Sequence, residues 1–418
     1  MQKSIINALS KVKDFLMQTQ GEDGAWNVGG VIHNEPSVFV SESVLTAQAV
    51  LTLNMIGGLD TVKCIRRGLR FCYENGGLND PIEILSFRSI ALSLSDKSYL
   101  RSEATRLASK LSSLQVGGYW RVFPYTFNAT NYCAVSSLYF VDRKKFRPHL
   151  NKSKIWFMKS MAKDRFGWDA GGKSENSQVS FTSNVVVSLI KCGVDPMNKK
   201  LENVRTFLEE SQNKDGGWGA SQYTVTGSNN YSTAFTTLAL MLLSSEDSPH
   251  VRRGIKYLLD NMSSKGWSWK KREKPRYNIT YYATKALSFY LYLHDRKTDL
   301  KECDIYEGFD DPRLNAFLYH DFKTWEKQRF RDLNLAVLTD LKALGSTSRA
   351  IRRRKDILQI LSKKGDLDPA QVIDELKQKD DYYSFLSKKY HITQIKNDLE
   401  HLKDIGLVER KRTKYFVV

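Results

Sequence analysis

A glycine-rich turn that recurs at a nearly constant interval is the feature that most constrains how this chain can fold. The sequence reads DGAW up to Trp26 and DGGW up to Trp218, and related turns occur between and after them. The six turns end at Trp26, Leu78, Trp120, Trp168, Trp218 and Trp267. Neighbouring turns are separated by 42 to 52 residues. A period of this length indicates a fold built from repeated supersecondary units.

Each turn lies between two segments with helical patterns. Before Trp218, for example, Val204, Phe207 and Leu208 follow three- and four-residue steps, which is typical of a helix with one buried face. The segment after the turn is more apolar, as in NNYSTAFTTLALMLL. Glycine lets a helix end in a left-handed residue, and tryptophan gives the turn an apolar anchor. The pattern predicts six helical hairpins over about residues 4–294, with the inner helices around a central funnel.

The turn at 212–218 reads Q-x-x-D-G-G-W, and with its flanking helices it resembles the repeats of the terpene cyclase and protein prenyltransferase β-subunit superfamily. The resemblance covers residues 1–295. It implies an all-α domain, an (α/α)6 toroid of six helical hairpins. It says less about function, because one fold can host unrelated chemistries.

The resemblance also implies where catalytic acids should lie. Class II terpene cyclases protonate an alkene with an Asp from a D-x-D-D-T-A stretch at the start of an inner helix, which requires a strong acid. The counterpart here is Asn229-Asn230-Tyr231-Ser232-Thr233-Ala234. The Thr-Ala frame is kept, whereas the three acidic positions hold Asn, Tyr and Ser. This sequence therefore predicts that the familiar cyclase acid is absent.

The metal-dependent members of the superfamily use other signatures. Protein prenyltransferases hold Zn²⁺ with a D-x-C pair and a later His, but the chain has no D-x-C, and Tyr281-Tyr282 occupies the place of that His. Lanthipeptide cyclases use a Cys-His pair, and no cysteine here has an adjacent histidine. We therefore expect no metal and no other cofactor; a zinc site assembled from distant residues stays an alternative.

Polar residues in the turns and at the starts of the inner helices are candidates to line the funnel. One interpretation is that they cap helices and form internal hydrogen bonds. The other is a ligand or peptide pocket in which Glu42 and His33 form a titratable pair. The candidates are His33, Glu35, Glu42, Arg88, Asn131, Tyr132, Asn184, Tyr231, Asn278 and Tyr281.

The charge of the chain favours a polyanionic partner. Lys and Arg number 64 against 46 Asp and Glu, a formal net charge of +18, which suits nucleic acid or an anionic surface. In the loop WSWKKREKPRY, Lys271 and Arg272 lie among aromatic residues. This pattern suits phosphate contacts with base stacking, and a solvated loop is the alternative.

Cysteine usage and apolar run length bear on location. The five cysteines form no C-x-x-C pair, which is typical of a reduced intracellular protein. The richest apolar stretch, AFTTLALMLL, is too short to span a bilayer. We therefore expect a cytoplasmic protein without membrane insertion.

The repeat pattern stops near residue 295. Residues 296–348 are mixed and charged and predict a helical connector. Residues 349–418 predict three helices followed by two short strands around the basic turn in GLVERKRTKYFVV. This arrangement resembles a winged helix-turn-helix domain, which is a small α+β fold.

That second resemblance implies a double-stranded DNA partner, because the third helix of such domains enters the major groove and the wing contacts the backbone. Winged helices also dock proteins, so a protein partner is the alternative. The implied nucleic-acid-binding residues are Thr393, Gln394, Lys396 and Asn397 on the third helix, Arg410, Lys411, Arg412 and Lys414 in the wing, and Arg352 and Arg353 before it.

Taken together, the sequence favours a non-catalytic nucleic-acid-binding or regulatory protein, for example in bacterial or archaeal regulation or anti-phage defence. The toroid would bind a ligand or partner and the winged helix would contact DNA. Two alternatives stay open. One is an isoprenoid-related cyclase or transferase with a non-standard acid such as Glu42, and the other is a protein-docking scaffold subunit.

Overall fold

The protein is described here by a computed structural model. The described residues are 1–27, 41–57, 59–95, 97–121, 128–171, 175–220, 227–244, 247–269, 273–295, 353–354, 356–358, 360–361, 364–379, 388–404 and 408–417. They divide into two compact units. The larger one contains most of residues 1–295, and the smaller one contains the residues from 353 onward with the short segment 57–66.

The larger unit is built from helices that alternate between an outer and an inner position. The outer helices are α1 (Gln2–Thr19), α3 (Val62–Glu74), α5 (Ser98–Ser113), α7 (Arg147–Lys159), α9 (Lys199–Glu210) and α11 (Pro249–Asp260). The inner helices are α2 (Glu42–Ile56), α4 (Ile82–Ser93), α6 (Asn128–Asp142), α8 (Val179–Lys191), α10 (Asn230–Leu243) and α12 (Tyr277–Asp295). Outer helices bury one stripe and inner helices bury nearly every side, as their sequence patterns predict.

The six inner helices form a closed ring. Each packs against the next in chain order from α2 to α12, and α12 packs against α2. Hydroxyl groups join neighbours within this ring, as where Ser89 and Ser137 Oγ atoms lie 2.5 Å apart. The predicted six-hairpin toroid is thus confirmed.

In five of the six turns a tryptophan fixes the turn to the end of its own outer helix. Trp218 is fully buried, and its backbone N–H donates to Thr233 Oγ1 at 3.0 Å on the following inner helix. Its indole N–H satisfies a carbonyl that the end of a helix leaves without an intrahelical partner. The indoles of Trp26, Trp120, Trp168, Trp218 and Trp267 donate to the carbonyls of Leu16, Leu111, Phe157, Leu208 and Leu258 at 2.7 to 2.9 Å.

The turn glycines allow each hairpin to pack closely on the next. Gly118 has a φ of +101°, a conformation that side chains other than glycine rarely adopt. A Cβ at this position would lie 2.4 Å from the carbonyl oxygen of Lys152 on the next outer helix. Gly216, in the DGGW turn, has the same role against Arg253. Glycine is therefore required here by both backbone conformation and space.

The second turn has no tryptophan and uses an arginine instead. Arg88, on inner helix α4, donates from Nε to the carbonyl of Cys72 at 2.8 Å and from Nη1 to Asp80 Oδ2 at 2.9 Å. Cys72 lies two residues before the end of α3, as Leu208 does in α9. Arg88 thus supplies the donor that the indole supplies elsewhere.

The smaller unit contains α13 (Pro369–Lys379), α14 (Lys388–Asp404) and the antiparallel strands β1 (Val408–Lys411) and β2 (Lys414–Val417). Leu367 exchanges two backbone hydrogen bonds with Tyr415, at 3.0 and 2.8 Å. The hydrophobic core of the smaller unit includes Ile357, Leu361, Val372, Leu376, Ile395, Leu399 and Leu402. The winged-helix assignment and the domain boundaries stay predictions, and the connector 296–348 lies outside the described residues.

Candidate functional site in the ring interior

Aromatic side chains meet at the axis of the ring, near the end where the inner helices begin. Phe87 on α4 contacts Tyr281 on α12 with ring centroids 6.0 Å apart. Tyr132 on α6 contacts Phe235 on α10 at 5.2 Å. Each pair joins two inner helices that are not neighbours in the ring, since α2 lies between α12 and α4, and α8 lies between α6 and α10. The rings of Phe235 and Tyr282 are 4.4 Å apart, so aromatic groups fill this level of the axis.

A buried carboxyl group adjoins this aromatic cluster. Glu83 lies in the first turn of α4, one helical turn before Phe87, and only 3% of its surface is exposed. The hydroxyl of Thr130, at the start of α6, donates a hydrogen bond to Glu83 Oε1. Glu83 is thus an acid inside the ring at the level of the inner-helix N-termini. It was not among the residues that the sequence singled out.

The neighbouring thiol and phenols are neutral groups. Burial raises the pKa of Cys133 well above its usual range, and the charge of Glu83 raises it further. Burial also raises the pKa values of Tyr231 and Tyr282. All three therefore keep their protons at neutral pH. Among the described residues, the interior presents neutral aromatic faces and a thiol beside the carboxyl group of Glu83.

Two lysines lie inside the ring next to the aromatic cluster, and Lys191 Nζ is 5.4 Å from the centroid of Tyr132 in that cluster. Lys191, the last residue of α8, donates to Ser136 Oγ at 3.0 Å, and its Nζ lies 4.7 Å from the centroid of Phe140. Lys285 reaches from α12, on the opposite side of the ring, to within 5.8 Å of the same centroid. Both side chains are almost fully buried. Two ammonium groups therefore converge on one phenyl ring.

Four amide oxygens on the inner helices lack hydrogen-bond donors among the described residues. They belong to Gln48 on α2, Asn128 on α6, Asn184 on α8 and Asn230 on α10, and all four residues are buried. A buried acceptor without a donor costs about 1–3 kcal/mol. A ligand with a donor group could remove that cost, which is one reason to regard the interior as a binding site.

The predicted funnel residues have different positions. Tyr132, Tyr231 and Tyr281 belong to the aromatic cluster, and Asn184 Nδ2 donates to Tyr231 Oη at 3.4 Å. Arg88 supports the second turn.

The remaining candidates of that set lie at the ends of helices or outside the described residues. Asn131 accepts from the Trp120 backbone at 2.8 Å, and Asn278 is half-buried at the start of α12. Glu42 begins α2 and is exposed. His33 and Glu35 lie outside the described residues.

Asparagines in the counterpart of the cyclase acid motif and at the start of α6 are used to build the ring. Asn229 Oδ1 accepts from the backbone N–H of Ser232 at 2.8 Å and so caps α10. Asn230 Nδ2 donates to the carbonyl of Ser268 in the next turn at 2.9 Å. Asn128 joins α6 to Asp169 in the same way at 2.5 Å. These asparagines therefore connect neighbouring hairpins.

Within the described ranges, no group of three or more His, Cys, Asp or Glu side chains is placed to hold a metal ion. No helix among those residues is both long and apolar enough to cross a bilayer. The cytoplasmic location stays a prediction.

Several basic residues predicted to contact DNA have partners within the smaller unit. Arg353 and Arg354 both donate to the buried carboxylate of Asp398, the latter at 2.7 Å. Arg410 lies 3.3 Å from Glu400. Of the other residues in that set, Thr393, Lys396, Asn397, Lys411, Arg412 and Lys414 are exposed and Gln394 is half-buried, while Lys271, Arg272 and Arg352 lie outside the described residues.

Part of the toroid is similar in sequence to known cyclases. Residues 152–295, about a third of the chain, match the squalene-hopene cyclase C-terminal domain. A squalene–hopene cyclase of Bradyrhizobium diazoefficiens is 34% identical over 111 residues, which are 24% of this chain and 16% of the relative. The matched region thus spans about a sixth of that relative's length.

Solved structures share the fold at low identity. The type II terpene cyclase MstE from Scytonema has a TM-score of 0.50 at 12% identity, over 68% of this chain and 98% of its own. A variant of it in complex with geranylgeranyl dihydroxybenzoate has a TM-score of 0.50 at 11% identity, over 69% and 97%. An unsaturated glucuronyl hydrolase from Bacillus sp. GL1 has a TM-score of 0.54 at 10% identity, over 69% and 96%. At these identities the likeness shows a fold that serves different reactions.

These findings overturn the main functional prediction. The expectation of a nucleic-acid-binding or regulatory protein with double-stranded DNA as its partner is wrong, because the partial family match and the toroid are similar to isoprenoid cyclases and none of these findings points to nucleic-acid binding. Nothing in the comparisons supports a role in regulation or defence. In physical terms, the net positive charge is not specific for nucleic acid, and Arg353 and Arg410 already pair with carboxylates.

Proposed function

We propose that this protein binds an isoprenoid inside the helical ring and transforms it by acid catalysis, with Glu83 as the acid. The observation that carries the proposal is the burial of this carboxyl group inside the ring, one helical turn before Phe87, a member of the aromatic cluster. The squalene-hopene cyclase match over residues 152–295 supports the substrate class. Glu83 lies on α4, whereas the acids missing from 229–232 would lie on α10.

The chemistry needs an acid, an environment that excludes water, and groups that stabilise positive charge. Protonation of an alkene by a positioned carboxyl group creates a carbocation, which water would quench. Aromatic faces attract cations through their quadrupoles. Tyr132, Phe235 and Tyr282 supply such faces inside the ring. Burial raises the pKa of Tyr282, so its phenol carries no competing negative charge at neutral pH.

The two interior lysines favour an amphiphilic substrate over a pure hydrocarbon. Lys191 and Lys285 lie around Phe140, and an anionic head group at that level would be stabilised by both ammonium groups in a weakly polar environment. The isoprenoid chain would then run along the axis towards Glu83. Because the rings of Phe235 and Tyr282 are in contact, binding requires these side chains to rotate.

The test is turnover by the full chain. We expect the protein to convert a prenyl diphosphate such as geranylgeranyl diphosphate, with squalene as a second substrate, into products that mass spectrometry detects. Glu83→Gln keeps an acceptor for Thr130 but removes the carboxyl group that exchanges a proton with the substrate, so it should lower the rate at least about a hundredfold. Glu42→Gln, an exposed glutamate at an inner-helix start, is the matched control and should keep the wild-type rate.

Circular dichroism of each variant checks that the helices are retained. Lys191→Met should raise KM for the diphosphate more than for squalene. The proposal is refuted if the wild-type protein turns over neither substrate, or if Glu83→Gln stays fully active.

A further inference from the structure

Lys285, near the middle of inner helix α12, carries its amine inside the ring. The residue is 2% exposed, and lysine is among the residue types least often buried to this extent. Its neighbours in the segment YATKALSFY are apolar, aromatic or hydroxyl-bearing. A primary amine buried in such a segment is a reactive group held away from water.

A second buried amine lies close to the first. The Nζ atoms of Lys191 and Lys285 lie 4.7 and 5.8 Å from the centroid of the same ring, that of Phe140. Lys191 is 1% exposed. Two like charges that share one phenyl ring inside a protein repel each other strongly, because the interior screens them far less than water does.

The surroundings of Lys191 favour its charged form. Its ammonium group donates to Ser136 Oγ at 3.0 Å. Its Nζ also lies over three aromatic rings, at 5.4, 6.0 and 4.7 Å from the centroids of Tyr132, Tyr139 and Phe140, and aromatic faces attract cations. Repulsion within the pair is therefore relieved when the other amine, that of Lys285, gives up its proton.

A neutral, desolvated lysine amine is a nucleophile that reacts with carbonyl compounds. Burial and a neighbouring cation are two conditions that activate such lysines, and Lys285 meets both. Aromatic side chains fill the same interior, as where Phe235 and Tyr282 are in contact at 4.4 Å. A carbonyl compound that enters must therefore be largely apolar.

We propose that Lys285 binds an isoprenoid aldehyde covalently, as an imine. The amine lone pair forms a bond to the carbonyl carbon, both N–H protons pass to the carbonyl oxygen, and that oxygen leaves as water. The product contains a C=N bond and no charge that would repel Lys191, since an imine nitrogen is less basic than an amine. Imine formation rests on the proposed function only for the isoprenoid class of its ligand, and it requires no acid at Glu83.

The experiment is reductive trapping on the full chain. The protein is incubated with farnesal, an isoprenoid aldehyde, and with sodium cyanoborohydride, which converts an imine into a stable secondary amine. Peptide mass spectrometry then locates the adduct. We expect Lys285 to be modified at least about tenfold faster than the exposed Lys200, because its amine is activated. Propanal should lose most of this preference, since its short chain gains little from an apolar interior.

Two variants separate imine formation from unspecific labelling. Lys285→Arg keeps a cationic side chain but cannot form an imine, so the interior adduct should disappear. Lys200→Arg is the matched control at an exposed lysine and should leave that adduct unchanged. Circular dichroism checks that both variants keep their helices. Trapping at Lys191 instead, a rate at Lys285 no higher than at Lys200, or equal trapping of propanal would overturn the proposal.

The assay also separates this proposal from acid catalysis at Glu83. Turnover of geranylgeranyl diphosphate without a farnesal adduct would refute the imine alone. An adduct at Lys285 without turnover would refute the acid catalysis alone.

Discussion

Replacement of Trp218 by phenylalanine tests whether the turns are held by their indole hydrogen bonds. Trp218 is fully buried, and its Nε1–H donates to the carbonyl of Leu208 at 2.7 Å. Phenylalanine keeps most of the ring but removes the donor. The carbonyl of Leu208 then stays buried without a partner.

The cost follows from two contributions. An unsatisfied buried carbonyl costs about 1–3 kcal/mol. The smaller phenylalanine ring also leaves a cavity against Gly254. The site is tightly packed, because a Cβ at Gly254 would lie only 2.9 Å from Cζ3 of the indole. Complete truncation of a buried Trp costs about 3–5 kcal/mol. We therefore expect Trp218→Phe to lower the free energy of unfolding by about 2–4 kcal/mol.

Urea unfolding followed by helical circular dichroism measures this change, because the larger unit carries most of the helix. The matched control is Trp156→Phe on α7. Trp156 is half-buried and contacts Tyr119 and Phe157 through its ring faces and edges, so its replacement should cost less than about 1 kcal/mol. Equal destabilisation by the two variants would refute the reasoning.

Three further perturbations test other parts of the fold. Gly118→Ala should lower the free energy of unfolding by at least about 3 kcal/mol, because the new Cβ clashes with Lys152 and the backbone is left-handed. Gly117→Ala, with φ of +62° and no contact closer than 3.8 Å, should lower it by about 1 kcal/mol. Urea midpoints compare the two variants, and equal destabilisation would contradict the close packing at Gly118. Arg88→Met should cost about 3 kcal/mol by the same assay, because it leaves a buried carbonyl and a carboxylate without their donor; a change below 1 kcal/mol would exclude its role as the substitute for tryptophan. Burial, with the nearby charge of Lys152, lowers the pKa of His149 from 6.5. The neutral imidazole therefore stabilises the folded state above about pH 6.5, and this stabilisation is lost as pH falls. The difference in unfolding free energy between pH 7 and pH 5 should shrink in His149→Gln, and an unchanged difference would contradict the lowered pKa.

The interior of the ring was only partly predictable. Tyr132, Tyr231 and Tyr281 could be selected because aromatic residues follow the turns at matching positions. Glu83 could not be selected, because its segment PIEILSFR resembles a solvated helix start as closely as the segment around Glu42 does. The two glutamates differ in exposure because Thr130 of the neighbouring inner helix covers the first, and sequence alone gives no distance between α4 and α6.

The sequence by itself determined the number of hairpins, their order and the identity of the turns. These are local properties: helical period, glycine where φ is positive, and one large anchor per turn. Tertiary structure decided which polar groups face the axis, that Arg88 substitutes for a tryptophan, and that Asn230 connects α10 to the next turn. The contacts between hairpins join residues 38 to 41 positions apart, and such contacts are fixed only when the ring closes.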